Sequence, residues 1–486
     1  MIKERTLLRR DGSSQTTSAS AWTRDQLFAF LLVTLTISIN LPLLTRYPSP
    51  GGDEPSFVDA AVNLARRGVL GSELHRDLLP GIERHLYWQP PLYFVLLAGW
   101  FRLVGIGLLQ ARSFSLIWAA FLVLGVYALS RRYSPPWPSA TAAALCAISA
   151  WVTNGARFAR MDTFCVALTL GCVLAYLYAR DNGRLSLFGL CGVLAGMAFL
   201  SHPLGLVAIV VVSADLLTTP GQSHIRKPAA LLVVLGFSCG VLVWLAYILQ
   251  DLQSFRLQMS AQLARKLALG SYWYQFWMAK THPMSLFVGL AAGFWLATKG
   301  CGRRESIIAS GFLVSFVAAT YARESGYFLY FYPWGCCAVA VLLKQVRNWR
   351  SLLYAALAAA FANEAATLSY DLWRYRSRDY AQVARIVREA VPPGANVFIG
   401  FPEVTPYFAL IGRNPMRAAV PVATPNPHAH LDAARTSDFI AVSIPVMYLP
   451  DVAAFLNDKE SVAIVDHGPG YRLALFRTKA ARAATR

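Results

Sequence analysis

Apolar stretches of near-constant length alternate with short polar loops over most of the chain. Several of these stretches, at 27–44, 111–129, 161–178, 229–249 and 352–370, reach the ~18 residues a helix needs to cross a hydrocarbon core. Basic residues punctuate them. Arg131/Arg132, Arg180/Arg184, Arg226/Lys227, Arg303/Arg304 and Arg347/Arg350 each fall between two apolar segments. Lys and Arg favour cytoplasmic loops, and threading these pairs on that side predicts about eleven spans. The spans fall near 25–45, 110–130, 137–154, 162–180, 185–201, 203–219, 228–249, 283–298, 306–322, 326–344 and 351–370. The path leaves Arg66, Arg67, Arg157, Arg160, Arg265 and Lys266 on the outer side, against the bias.

The stretch 90–107 is apolar, but counting it as a span would flip Arg131/Arg132 to the outside. It is expected instead to lie in the outer interface, with Tyr87, Trp88, Tyr93 and Trp100 at headgroup level. From about residue 371 the pattern changes. Tyr380 to Ala390 reads as a helix, 396–401, 439–443, 462–465 and 471–476 as strands, and 452–456 as helix again. The expected organisation is a cytoplasmic tail at 1–24, a transmembrane module at 25–370 and an outer α/β domain at 371–486. Within the module, 45–110 and 250–283 are long outer loops. This is a polytopic α-helical membrane protein with interfacial helices in its first outer loop and a small C-terminal α/β domain.

Composition agrees. Hydrophobic residues make up 56% and charged residues 15%, against roughly a quarter charged in soluble domains. The formal charge of +19 is spread through loops and not gathered into a basic domain, which points to topology and anionic lipid and away from nucleic acid. The eight cysteines form no CxxC pair, and seven lie inside apolar segments, where they read as small buried hydrophobes. The 27–44 segment is too long for the apolar region of a cleaved signal sequence and is expected to be a retained first span.

Five constellations on the outer side carry candidate chemistry. Asp53-Glu54-Pro55 follows the first span, with Asp53 at the N-cap of a helix and both acids favoured by its dipole. The same pair suits a general base or a cation ligand. Arg157-Phe158-Ala159-Arg160-Met161-Asp162 adds guanidinium forks suited to phosphate beside a third acid. The plainer alternative is an ion pair within that segment. Ser201-His202-Pro203 places a histidine at headgroup depth; Gln89-Pro90-Pro91-Leu92-Tyr93 opens the interfacial helix; and Arg323-Glu324-Ser325-Gly326-Tyr327 precedes an aromatic run. No phosphate-binding Gly-rich loop, G-x-S-x-G or H-E-x-x-H motif occurs, so nucleotide-driven chemistry has no handle.

These motifs, in this order, resemble the GT-C superfamily of membrane glycosyltransferases, near the protein mannosyltransferase, aminoarabinose transferase and lipid A galacturonosyltransferase group. Ala111-Arg112-Ser113 leading to Arg131-Arg132, and Tyr327-Phe328-Leu329, complete the series. The resemblance implies a polyprenyl-phosphate sugar donor, an acceptor lipid, glycan or protein, and an active site facing the outside of the inner membrane. It implies Asp53 as general base, with Glu54 and Asp162 shaping the site. Arg160, His202, Arg157, Arg323 and Tyr327 would hold the donor phosphate, and Gln89 and Tyr93 the acceptor side. Asp53 and Asp162 are the residues that would hold a divalent cation such as Mg or Mn. The chain departs from its relatives where they carry Lys, at Gln89 and at His202, so Arg84, His85 or Arg157 are candidate substitutes. A lipid or glycan transporter is the alternative reading. It calls for ionisable groups at mid-membrane, whereas the acids singled out sit at span ends or in loops.

Overall fold

The computed structural model describes residues 15–218, 223–268, 282–299, 304–321, 325–346, 348–420 and 428–478. Each of the eleven apolar stretches forms helix. The first is α1 (Gln15–Asn40), and α2 (Glu54–Arg67) and α3 (Leu92–Val104) belong to the loop that follows it. Then come α4 (Leu108–Arg131), α5 (Pro136–Ile148), α6 (Ala150–Ala156), α7 (Asp162–Asn182), α8 (Leu185–Ser201), α9 (Leu206–Thr218) and α10 (Ser223–Ile248). After α11 (Leu252–Ala268) follow α12 (Pro283–Thr298), α13 (Ser306–Tyr321), α14 (Phe328–Gln345) and α15 (Arg350–Tyr375). By length and composition, five helices among the described residues suit a membrane crossing: those at Thr23–Leu43, Leu108–Arg131, Asp162–Asn182, Arg226–Ile248 and Arg350–Ala390.

The third expected span is broken. Ser149 adopts an extended backbone between α5 and α6, and its hydroxyl caps α6 at Val152 N. The Ala150 N–H freed by the break is taken up by Glu364 of α15 at 3.1 Å, a carboxylate that also meets His282 Nδ1 at 3.1 Å and Ser285 Oγ. A helix break inside an apolar environment needs such a partner, because water is absent there.

Polar contacts gather the basic helix ends at one end of the bundle. Arg131 pairs with Asp25 of α1 at 2.8 Å, Arg132 with Asp181, and Arg180 with Asp215 at 2.8 Å, while Lys344 donates to Tyr133 O at 2.9 Å. Within the bundle α8 and α10 pack against each other. Each carries a Gly-x-x-x-Gly pair, Gly192/Gly196 and Gly236/Gly240. A Cβ on Gly240 would stand 2.7 Å from Gly196 O, and one on Gly192 only 2.2 Å from Val233 O. Small residues let the backbones touch, which drives association where lipid supplies no hydrophobic force.

The helix α3 has 13 residues, too short to span, as its charge context requires. The aromatic positions expected at headgroup level are a correction. Tyr87, Trp88 and Tyr93 are buried in protein: Trp88 lies against His75, Tyr87 against Tyr247 and Phe255, and Tyr93 against Phe94 and Phe114. They anchor the loop to α4, α10 and α11, and the fold covers the faces that sequence leaves open. Of the cysteines, Cys146, Cys165, Cys172, Cys191, Cys336 and Cys337 are buried and Cys239 is exposed.

The C-terminal region forms α16 (Tyr380–Ala390) and a five-stranded sheet of β1 (Val397–Gly400), β2 (Met416–Ala418), β3 (Phe439–Val442), β4 (Glu460–Asp466) and β5 (Arg472–Arg477), in the order β2-β1-β3-β5-β4. The β2, β1 and β3 strands are parallel, with Val397 opposite both Met416 and Phe439; β5 runs antiparallel to β3, and β4 to β5. β2 is absent from the sequence expectation because its three residues carry no period of their own. The central β3 is buried throughout.

This domain clasps the first loop. Thr405 N donates to Pro50 O at 2.8 Å, Ala418 N to Leu74 O at 2.7 Å, Tyr407 OH to Asp59 at 2.9 Å and Tyr471 OH to Arg46 O at 2.7 Å. Replacing Gly240 with Leu is expected to cost about 1–3 kcal/mol through overpacking. A lowered melting temperature in detergent checks this; Gly99→Leu, where a Cβ meets nothing within 4 Å, is the control that should leave it unchanged.

Candidate active site

The α2 helix begins at Glu54. Glu54 is fully buried and receives both forks of Arg112 from α4, Nε at 2.7 Å and Nη2 at 2.7 Å, while Ala159 N donates to it at 2.9 Å. Arg112, equally buried, donates its remaining Nη1 to Leu44 O at 3.0 Å and Pro48 O at 2.9 Å. One ion pair thus joins the end of the first span, the start of α2, α4 and the 157–161 segment. Glu54 sits inside it with no surface open to a substrate.

One residue earlier, Asp53 is part-exposed. It occupies the N-cap position, but its carboxylate makes no capping hydrogen bond, so the expected cap is not formed. Its Oδ2 instead lies 3.4 Å from Arg160 Nη1. Arg160 Nε donates to Asp162 Oδ2 at 2.9 Å, and Tyr330 OH donates to Asp162 Oδ1 at 3.0 Å. Arg160 also lies over the Phe57 ring. The two candidate acids are therefore bridged by one guanidinium.

A polar pocket opens beside this bridge, lined by Asp53, Ser56, Trp88, Gln89, Arg160 and Arg265, with Tyr327 and Gln262 completing its wall. Lys266 Nζ lies 3.2 Å from Tyr327 OH and over its ring. His202 packs its ring against Tyr327 and Tyr330, at 5.4 and 5.5 Å between centroids. Its Nδ1 accepts from Leu204 N at 3.1 Å, which leaves Nε2 as the protonated nitrogen and a hydrogen-bond donor. Arg160, Arg265 and Lys266 thus collect positive charge around one polar hollow, and the Nε2–H of His202 adds a neutral donor.

The structure brings together Asp53, Asp162, Arg160, His202, Tyr327 and Gln89. It separates others. Arg157 is 1% exposed and spends its guanidinium on Asn40 Oδ1 at 2.7 Å and Ile39 O at 3.0 Å; it lines a different pocket with His282, Glu364 and Asp371. Tyr93 is fully buried. Arg323 lies outside the described residues. Of the suggested lysine substitutes, Arg84 lies beside Glu83 and His85 against Tyr87 and Gln250. Arg265 and Lys266 take no part in the sequence reading of the site, although their departure from the charge bias was a signal pointing to them. Among the described residues no group of three or more His, Cys, Asp and Glu side chains converges to hold a metal. With Arg160 already between Asp53 and Asp162, these two acids do not fit a Mg or Mn site in this arrangement.

Behind the pocket, Ser56 is 2.8 Å from His75 Nε2, and His75 Nδ1 is 3.2 Å from Ala418 O of β2. The imidazole therefore links the pocket wall to the C-terminal domain. Burial pushes its pKa down to about 4.

Residues 88–247 match the protein family described as dolichyl-phosphate-mannose-protein mannosyltransferase. A comparison with curated protein sequences finds no match. Among solved structures, ArnT from Cupriavidus metallidurans in the apo state superposes with a TM-score of 0.67 at 14% identity, over 96% of this chain and 99% of that one. The same protein bound to undecaprenyl phosphate gives 0.62 at 14% identity, over 95% and 99%. The archaeal oligosaccharyltransferase AglB from Archaeoglobus fulgidus, in complex with an inhibitory peptide and a dolichol-phosphate, gives 0.59 at 10% identity, over 96% and 75%. The chain has the GT-C glycosyltransferase fold. The likeness to these GT-C structures runs through the bundle, the first loop and the C-terminal domain together.

Replacing Arg112 with Met leaves the Glu54 charge buried alone, with an expected cost of about 3–5 kcal/mol. Adding Glu54→Met should recover much of it; thermal denaturation of single and double variants measures the difference. His75 predicts an acid-side loss. Its folded pKa lies below the unfolded value near 6.5, so its contribution is complete above pH 6.5 and declines as the pH falls toward 4. Burial raises the pKa of Asp59, which acts in the opposite direction, so comparison with His75→Gln isolates the histidine. The wild type should lose more stability between pH 7 and 4.5 than the variant.

Proposed function

We propose that this GT-C chain transfers a sugar from a polyprenyl-phosphate donor to an acceptor nucleophile at the non-cytoplasmic face of the inner membrane. The observation that carries the reading is the pocket itself, where a part-exposed carboxylate faces a cluster of cations. Polyprenyl phosphate is a leaving group whose charge grows as the glycosidic bond breaks. Lys266, Arg265 and the Nε2–H of His202, with Tyr327, are the groups placed to receive it. The neighbours that hold undecaprenyl phosphate and dolichol-phosphate support that donor class.

Asp53 is the general base in this scheme. It takes the proton of the acceptor hydroxyl as the oxygen attacks the anomeric carbon, and the departing phosphate leaves toward the cations, with inversion at that carbon. Arg160, anchored on Asp162, orients Asp53. Asp162 is thereby a positioning residue, as is Glu54, whose bond to Arg112 fixes the turn on which Asp53 stands. No step is assigned to a metal. Gln89 lies on the pocket wall where the acceptor would enter. The acceptor is a lipid, glycan or protein, and lipopolysaccharide and other cell-envelope glycans fit the outer-face geometry.

A transporter would need a titratable group free to exchange protons or ions within the bundle. The buried acids Glu364 and Asp215 are both held, Glu364 by Ala150, His282 and Ser285 and Asp215 by Tyr176 and Arg180, which favours a structural part for each.

Asp53→Asn should lower transfer by about 10²–10⁴-fold, the usual range for a lost general base, while donor-dependent thermal stabilisation persists. A panel of polyprenyl-phosphate sugars in nanodiscs checks both quantities, and Lys266→Gln should lose the stabilisation. Full activity in Asp53→Asn would remove the base assignment; no stabilisation by any donor would remove the donor class.

A further inference from the structure

The opposite end of α2 borders a larger cavity, of about 490 Å³, between the first loop and the C-terminal domain. It is separate from the Asp53 pocket: thirteen residues of helix at 1.5 Å rise put Arg66 about 20 Å from Asp53. Arg66, Arg67, Arg76 and Arg417 line it, with Glu73 and residues of the β1 and β2 region.

The charges there do not cancel. Glu73 is shared between Arg67 and Arg76, and Arg417 pairs with Asp77 at 2.8 Å. Among the described residues no carboxylate pairs with Arg66. Its guanidinium lies instead across Gly412, where a Cβ would come within 2.4 Å of Nη1. Gly412 has φ +75°, so both its backbone and the missing side chain suit the arginine's place. Four guanidinium groups thus stand against the carboxylates of Glu73, Asp77 and the wall residue Asp59, an excess of at least one positive charge. The third acid, Asp59 at the cavity wall, has its oxygens taken by Asn63, Ser72, Leu74 N and Tyr407.

A plainer explanation is that Arg66 and Arg67 complement the helix dipole in the last turn. That accounts for two of the four. It does not account for Arg76 and Arg417, which reach the same hollow from another loop and from β2. Guanidinium forks bind phosphate bidentately, and a phosphate monoester carries about −1.5 to −2 charges at pH 7, the sign that the excess calls for.

We propose that this cavity is a second binding site, for the phosphate group of a phosphorylated ligand. The ligand is held between the C-terminal end of α2 and the β2 edge of the sheet. The site does not depend on the reading of the Asp53 pocket. A phosphate could arrive on a lipid headgroup or on a soluble molecule, and the shared chemistry is the monoester.

The test uses the full chain in phosphatidylcholine nanodiscs, titrated with glucose 6-phosphate and with glucose as the uncharged control. Saturable binding of glucose 6-phosphate alone is expected, weakened at least tenfold in Arg66→Gln and in Arg417→Gln. Both side chains are accessible, so melting temperatures without ligand should match the wild type and show that the variants fold. Binding should persist in Arg160→Gln, which removes a cation of the Asp53 pocket. Discs containing phosphatidate form a second arm: competition with glucose 6-phosphate assigns the site to a lipid headgroup, and its absence assigns it to a soluble phosphate. Loss of binding in Arg160→Gln but not in Arg66→Gln would place the phosphate at the Asp53 pocket and overturn the proposal. Absence of saturable binding would overturn it as well. Failure of the glycosyltransferase reading shows separately, as a wild-type chain that neither transfers sugar from any polyprenyl-phosphate donor nor is stabilised by one.

Discussion

The buried ion pair of Glu54 and Arg112 is the constraint from which the site follows. Both side chains are wholly shielded from solvent, so neither can be left without the other. Each guanidinium nitrogen of Arg112 is used: two on Glu54 and one on the carbonyls of Leu44 and Pro48. The chain just beyond α1, the first turn of α2 and, through Glu54, the middle of the 157–161 segment are fixed to α4 by one guanidinium. Asp53 and Arg160 are each the immediate neighbour of a residue in that knot, and their meeting is a consequence of it.

The α2 helix carries this constraint away from the pocket. Its first turn is tied to Arg112, its middle to Tyr407 through Asp59, and its last carbonyls to Arg102 of α3. The C-terminal domain therefore grips the same rigid element that presents Asp53. His75 adds a second connection, from β2 to Ser56 on the pocket wall. Among the described residues the domain sends no side chain into the pocket and acts on the site through position.

The bundle below meets a different demand. Apolar surface gives no driving force between helices in lipid, so contact depends on close backbones and satisfied polar groups. The glycine pairs of α8 and α10 supply the first. The ion pairs at the basic end and the Glu364 cluster at the α5–α6 break supply the second. These are devices of assembly, and they leave the opposite end free to carry exposed charge.

Much of this was legible in the chain. A helix that must cross hydrocarbon needs a run of apolar residues of set length, and that requirement writes helix positions directly into the sequence. The C-terminal α16 and the longer strands were legible for a similar reason, since each carries its own period. Asp53, Asp162 and Arg160 were visible as polar residues at span ends, and Arg265 and Lys266 as breaches of the charge bias, though nothing local tied the last two to the pocket. What only the tertiary structure decided was the division of labour among like residues. Asp53 and Glu54 are adjacent acids with equal claims in sequence, but successive residues on a helix turn point about 100° apart. One direction meets Arg112, 58 positions along the chain, and is buried; the other meets the pocket. Arg157 and Arg160 part in the same way, one sealed against α1 and one at the site. A side chain's partner across the fold, not its type, settled which became scaffold and which faced the chemistry.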